Sequence, residues 1–226
     1  MSLILPCARE GAGSPPSLFP DYRSTVPRSP RQPALIVPQT LTETTGPADA
    51  WPRLMGGAMA DLATRHKGEP RGQRIVVSGR VLDESGRPVP NTVVEIWQAN
   101  AAGRYASPDD AREDVPLDEH FVGLGRAATD KDGLWRFRTV RPGRVPGLGN
   151  TLQAPHVALS VFGRGLLRRL ATRLYFADGE GNDRDLILSL VPDERRHILL
   201  AERKADGTWW IDIRLQGENE TVFFDL

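Results

Sequence analysis

Apolar positions along the chain change their period near residue 75. Upstream, residues 15–47 are dense in proline, serine and threonine, and carry only scattered apolar side chains such as Phe19, Tyr22, Leu35, Ile36 and Val37. Proline blocks helix and withholds a backbone donor, so this stretch is expected to lie extended as an arm docked on another surface. Leu54, Met59, Leu62 and Ala63 recur at helical spacing and predict a short helix over 51–65. From Ile75 the period becomes two. Segments 75–82, 92–98, 122–128, 134–138, 157–162, 172–176, 209–215 and 221–224 read as strands. Turn chemistry separates several of them, as in Asp83-Glu84-Ser85-Gly86, Thr129-Asp130-Lys131-Asp132-Gly133 and Asp206-Gly207. A second short helix is expected over 192–201, with Asp193 and Glu194 in its first turn. Many short strands at this spacing predict a mainly β chain: an antiparallel β-sandwich at 74–226, preceded at 1–73 by the arm and one short helix.

Composition narrows the function classes. The 226 residues carry 29 basic and 29 acidic side chains, so no general attraction to nucleic acid or acidic membranes is expected. A single cysteine, Cys7, precludes an internal disulfide framework and fits a reducing compartment. No apolar run approaches the ~18 residues of a membrane span. Pro6 and Arg9-Glu10 break the apolar start before it could act as a secretory signal, so a cytoplasmic location is expected.

Three stretches carry more specific information. Gly79-Arg80-Val81-Leu82-Asp83, then Gly86-Arg87-Pro88-Val89-Pro90, lead into Glu95-Ile96-Trp97-Gln98-Ala99-Asn100. Thr129-Asp130 and Gly133 lead into Phe137-Arg138-Thr139-Val140-Arg141-Pro142-Gly143. Together these resemble the intradiol ring-cleavage dioxygenases, in their protocatechuate 3,4-dioxygenase branch. The opening and the hairpin also occur in non-catalytic β-sandwich modules, whereas the Glu-Ile-Trp-Gln-Ala-Asn run is more specific. That branch is built from two homologous chains, a beta chain that binds ferric iron and an alpha chain that does not. The arm, with Phe19-Pro20-Asp21-Tyr22 and Thr44-Thr45-Gly46-Pro47, and the first strands are similar to the iron-binding chain. From about Gln153 onward, through Ala154-Pro155-His156-Val157, Phe162-Gly163-Arg164-Gly165-Leu166 and the C-terminal Glu220-Thr221-Val222-Phe223-Phe224-Asp225, the likeness is to the non-iron chain.

The resemblance implies ferric iron held by two tyrosinates and two histidines, with the catecholic substrate bound beside it. At the first tyrosine position, three residues before Pro116, this chain has Glu113; Val145 takes the second. The paired histidines, two residues apart and so on one face of a strand, become His156-Val157-Ala158. His156 is thus the only matched ligand position. The arginine and glutamine that polarise substrate in the iron chain are replaced by Gln153 and Arg173. Tyr105 matches a tyrosine that does not bind metal. Thr44, Gly46 and Pro47 match an arm that reaches into the partner's pocket, and Arg164 matches an arginine at the mouth of that pocket. These four are the candidate substrate-binding residues, with no catalytic or metal-binding residue expected in this chain. A guanidinium there suits a ring carboxylate.

The resemblance therefore implies an alpha-type subunit for cleavage of protocatechuate by O2 to 3-carboxy-cis,cis-muconate, with Fe(III) carried by a homologous iron-binding partner chain. Two alternatives stay open. One is a self-sufficient dioxygenase whose altered iron site uses Tyr105, Glu113, His120 and His156. The other is a non-enzymatic β-sandwich interaction module. His66, His120 and His197 show no ligand spacing and are expected at the surface.

Overall fold

The computed structural model describes residues 58–225 apart from 148, 150, 164, 165, 167 and 168, all within one compact unit, Pro47–Leu226. The expected arm therefore lies outside the described residues, as do Thr44, Gly46, Pro47 and Arg164. So do residues 51–57 of the expected first helix; the described part of that segment opens with a single 3-10 turn at Ala58–Ala60.

Eleven strands are described: β1 (Arg74–Leu82), β2 (Val93–Trp97), β3 (Leu124–Ala128), β4 (Leu134–Val140), β5 (Val145–Pro146), β6 (Leu152–Gln153), β7 (His156–Phe162), β8 (Leu170–Phe176), β9 (Leu200–Arg203), β10 (Trp209–Trp210) and β11 (Ile213–Arg214). Two short helices, α1 (Leu186–Ser189) and α2 (Asp193–Arg196), lie between β8 and β9. One layer runs β3-β2-β7-β8 and passes through β9 and β10 to β1 and β4 in the other. The mainly β sandwich expected from the alternation is present. Its hairpins are antiparallel, but β8–β9, β1–β10 and β1–β11 pair parallel. Parallel neighbours need a long crossover. Residues 177–199, with both helices, supply the one between β8 and β9.

Strand alternation fills the space between the layers. Val94 and Ile96 of β2, Val157, Leu159 and Val161 of β7, and Leu174 and Phe176 of β8 meet Val77, Val81, Trp135, Phe137, Trp209 and Ile213 from the opposite layer. Phe176 stands edge-on to Trp209, with ring centroids 5.0 Å apart. Leu62 is fully buried in the same core, and its N–H donates to Arg138 O. The turns form as their residues require. Asp130 Oδ1 accepts from the N–H groups of Asp132 (2.8 Å) and Leu134 (2.9 Å), and Gly133 takes the left-handed φ of 71° that closes the hairpin.

Two expected elements end differently. The helix over 192–201 stops at Leu199, because Leu200 and Ala201 pair with Tyr175 and Phe176 and bury Ala201 in the core. Local helical pattern gives way there to sheet pairing. The strand over 209–215 breaks where the chain crosses Gly79, whose missing side chain admits Ile211 O. At the break, Asp212 Oδ1 accepts from the N–H of Arg80 (3.0 Å) in place of a ladder bond. The segment over 221–224 contributes one bridge, Phe224 to Ala171.

On the outer face of β7 and β8, the crossover covers Tyr175 with Leu188, Val191 and Leu199, forming a second apolar cluster with Ala154 and Val222. The uncovered remainder of that face carries the candidate site.

Candidate functional site

Two side chains of one strand register, Trp97 and Arg173, line the floor of a cavity. Trp97 of β2 pairs with Ala158 of β7, which pairs with Arg173 of β8, so all three project from one face of the sheet. Residues 105–112 form one wall and the β5–β6 hairpin another, through Tyr105, Arg112, Val145 and Gln153. His156, one step along β7 from Ala158, completes the lining. The volume is about 710 Å³, within the range of small-molecule sites.

The 105–112 wall is built by polar side chains that replace secondary structure. Asn100 Oδ1 accepts from the N–H groups of Ala102 (2.9 Å) and Arg104 (3.0 Å), and its Nδ2 donates to Pro116 O (3.0 Å). Asp110 Oδ2 accepts from the N–H of Tyr105 (2.8 Å). Arg112 grips Asp110 through Nε (2.8 Å) and Nη2 (2.7 Å), and Nη2 also donates to Gly103 O (2.7 Å). The Arg112 hydrogen bond holds the Asp110 carboxyl down at about 2. Tyr105 is thereby laid over Trp97, with centroids 5.4 Å apart and planes 17° from parallel. Burial pushes its phenol up from the usual value.

His156 is buried, and its Nδ1 lies 2.8 Å from Ala154 O. A carbonyl only accepts, so Nδ1 carries the hydrogen and Nε2 keeps its lone pair. Burial, assisted by the charge of Arg173, lowers its pKa to about 4, so the ring is neutral near pH 7. Ala154 is held in turn by Asp185, a fully buried carboxylate that accepts from the N–H of Ala154 (2.7 Å), the N–H of Leu188 (2.9 Å) and Tyr175 Oη (3.2 Å). Arg173 Nη1 donates to Gln153 Oε1 (2.6 Å) and to Tyr175 Oη (3.3 Å). Gln153 of the hairpin and Arg173 of the sheet are thus bonded to each other across the cavity.

The donors present do not fit ferric iron held by two tyrosinates and two histidines. Val145, expected at the second tyrosine position, lines the cavity, and Ala158, expected at the second histidine position, lies between Trp97 and Arg173 in the strand register; neither side chain can ligate a metal. Tyr105 and His156 are brought to one cavity. Glu113 and His120 are exposed and do not line it, so the altered four-residue site is not assembled. Among the described residues no three His, Cys, Asp or Glu side chains group as metal ligands. His197 is exposed and His66 half-buried, where the latter's Nε2 accepts from Arg65 Nε (3.4 Å). The site residue that sequence reasoning passed over is Asp185. Its only local signal is the pattern of a helix cap directly before an apolar pair.

Comparison with known proteins agrees with this architecture. The model of the family described as "Dioxygenase" matches residues 50–217, and that of the "Protocatechuate 3,4-dioxygenase beta subunit N terminal" matches residues 7–40. The protocatechuate 3,4-dioxygenase beta chain of Burkholderia cepacia is 39% identical over 224 residues, covering 94% of each chain. The alpha chain of the Pseudomonas putida enzyme is 39% identical over 166 residues, covering 71% of this chain and 80% of that one. Among solved structures, the dioxygenase domain of a carbohydrate-binding fusion protein from Streptomyces sp. SirexAA-E superposes with a TM-score of 0.52 at 25% identity, covering 70% of this chain and 87% of that one. No helix among the described residues is long and apolar enough to cross a membrane.

Proposed function

The chain belongs to the intradiol ring-cleavage dioxygenase family, and from that premise we propose that it is a non-iron-binding, alpha-type subunit of a protocatechuate 3,4-dioxygenase. The reading is supported by the residues standing where the resemblance implies metal ligands, Val145 and Ala158 in place of a tyrosine and a histidine, with His156 the sole matched donor. A single neutral imidazole is too weak a set for a hard trivalent ion that needs anionic oxygens. Similarity to the beta chain is spread over the whole length, whereas iron binding rests on four positions.

In this reading the ferric iron that activates catecholate toward O2 sits on a homologous partner chain, and this chain supplies scaffold and pocket contacts. On the resemblance, Arg164 is assigned the role of pairing its planar fork with the ring carboxylate of protocatechuate at the partner's pocket. Thr44, Gly46 and Pro47 are assigned contacts to the same substrate on the same ground.

The test is co-purification of this chain with a homologous iron-binding chain, with iron and protocatechuate cleavage measured with and without it. The expected result is no iron in this chain alone and full ring cleavage only in the pair. Iron near one per isolated chain, or a partner that cleaves protocatechuate equally well without this chain, overturns the reading. Arg164→Ala in the pair is expected to raise KM at least tenfold while leaving iron content unchanged.

A further inference from the structure

The layer opposite the cavity has an outer face of its own, and four strands present one in-register row on it. Arg136 of β4 pairs with Ser78 of β1, Ser78 with Trp210 of β10, and Trp210 with Glu202 of β9. The alternate positions Val77, Phe137 and Trp209 belong to the core, so this row points away from it. Arg136 and Glu202 are exposed, Trp210 is half-buried, and Ser78, the smallest of the four, is buried. Two residues further along β1 stands Arg80, exposed on the same face. Asp212 lies beside it: its Oδ1 accepts from the N–H of Arg80 (3.0 Å) and from Trp210 Nε1 (3.0 Å).

The two halves of this face are opposite in charge and in size. The β4–β1 half carries Arg136, Arg80 and the small Ser78, whereas the β10–β9 half carries Glu202, Asp212 and the large Trp210. Neighbouring strands stand about 4.8 Å apart, so about 14 Å separates the backbone of Arg136 from that of Glu202, too far to pair within one chain. Among the described residues neither Arg80 nor Arg136 forms an ion pair. The Arg80 guanidinium lies 6.0 Å from the centre of the Trp210 ring. Glu202 meets Lys204 at 3.4 Å, an exposed contact that contributes little. Half-buried Val76 and Leu134 add apolar surface to the same face.

We propose that this face joins two copies of the chain, sheet against sheet, in a symmetric dimer. A half-turn about an axis lying in the face and parallel to the strands exchanges its two halves. Trp210 of one copy then meets Ser78 of the second, Arg136 meets Glu202, and Arg80 meets Asp212. A two-fold contact requires a patch complementary to itself, and this arrangement of large against small and cation against anion supplies one. The strands of the two copies stay aligned, as in face-to-face sheet packing. The indole near the centre is an aromatic anchor of the kind that carries interface energy. An occupant of a single charge would match only half of the face, which is why a second copy fits it. The dimer goes beyond the proposed function, since it joins like chains on the layer away from the cavity.

Sedimentation equilibrium of the full chain, purified alone, reads the association. A dimer is expected, with its dissociation constant raised at least tenfold by Trp210→Ala, by Arg136→Glu and by Glu202→Arg, the last two placing like charges opposite each other at two symmetric points. The double variant Arg136→Glu with Glu202→Arg exchanges the ends of the row and is expected to restore the wild-type dimer, because each new acid faces a new base on the other copy. Both side chains are exposed, so this exchange leaves the core intact and serves where Trp210→Ala does not fold. A chain that stays monomeric, a dimer unchanged by these variants, or a double variant no tighter than the single ones overturns the inference. Loss of pairing with a homologous iron-binding chain in Arg136→Glu, with self-association unchanged, assigns the face to that chain and overturns it as well. Iron and ring cleavage on the same preparations keep the two readings apart. Normal reconstitution with an isolated chain that stays monomeric defeats this inference alone, and iron in the isolated chain defeats the proposed function alone.

Discussion

Asp185 is the side chain on which the geometry behind the cavity depends, and its removal has a calculable cost. Its carboxylate is fully buried and accepts from the N–H of Ala154, the N–H of Leu188 and Tyr175 Oη at 2.7, 2.9 and 3.2 Å. Asp185→Ala loses a helix cap, worth about 1 kcal/mol. It also strands two buried donors, Ala154 N–H and Tyr175 O–H, at about 1–3 kcal/mol each. Water entering the vacated space offsets part of this, leaving about 3–5 kcal/mol. For a chain of this size that corresponds to about 10 °C in Tm. Urea unfolding of the purified chain, monitored by tryptophan fluorescence, reads it as a lower midpoint at unchanged slope. Asp185→Asn keeps one acceptor but turns an NH2 toward a donor, and is expected to fall between wild type and alanine. A loss below about 1 kcal/mol for alanine would refute the hub, because it would mean that the three donors find other partners.

Three further outcomes rest on named contacts. A Cβ on Gly79 would stand 1.6 Å from Ile211 O; Gly79→Ala is therefore expected to destabilise by at least about 3 kcal/mol or to prevent folding, read by soluble yield and thermal melting. Arg112→Ala releases a carboxylate whose side chain is only 9% exposed, so about 1–3 kcal/mol is lost and the Tyr105–Trp97 stack loosens, visible as altered near-ultraviolet circular dichroism. His156 has a folded pKa lowered to about 4 against about 6.5 when unfolded. Above pH 6.5 both states are neutral and nothing is lost. As pH falls from 6.5 toward 4 the unfolded chain takes up the proton first, so stability declines by about 1.4 kcal/mol per pH unit. His156→Gln should flatten that slope, and an unchanged pH profile of urea midpoints would contradict the buried neutral ring.

Alternation made the sandwich readable because inward and outward positions differ in kind. In β7, Val157, Leu159 and Val161 face the core while His156, Ala158 and Ser160 do not, and the sequence shows that period directly. Turns were readable for a similar reason: Asp130 and Gly133 act through their own backbone neighbours. The pairings that escaped are those decided at long range. Leu200 and Ala201 read as the tail of a helix because nothing local reveals Tyr175 and Phe176 waiting beside them. The break after Trp210 depends on Gly79, more than a hundred residues away. At the site, Val145, His156 and Ala158 can be read one by one in the sequence, but the bond between Arg173 and Gln153 and the hub at Asp185 join strands, hairpin and helix that only folding brings together.

The same alternation explains how a chain keeps a dioxygenase scaffold with a different cavity. Side chains at 97, 156, 158 and 173 share the outer face, and none belongs to the main core cluster. Exchanging them leaves the packing of Val157, Leu159, Leu174 and Phe176 untouched, so the fold places little restraint on what they become. Restraint comes instead from polar satisfaction. A half-buried guanidinium at 173 is tolerated only with acceptors close by, and Gln153 and Tyr175 Oη provide them. Gln153 on the hairpin therefore satisfies the charge that Arg173 carries on the sheet, with no change to the layers that support either.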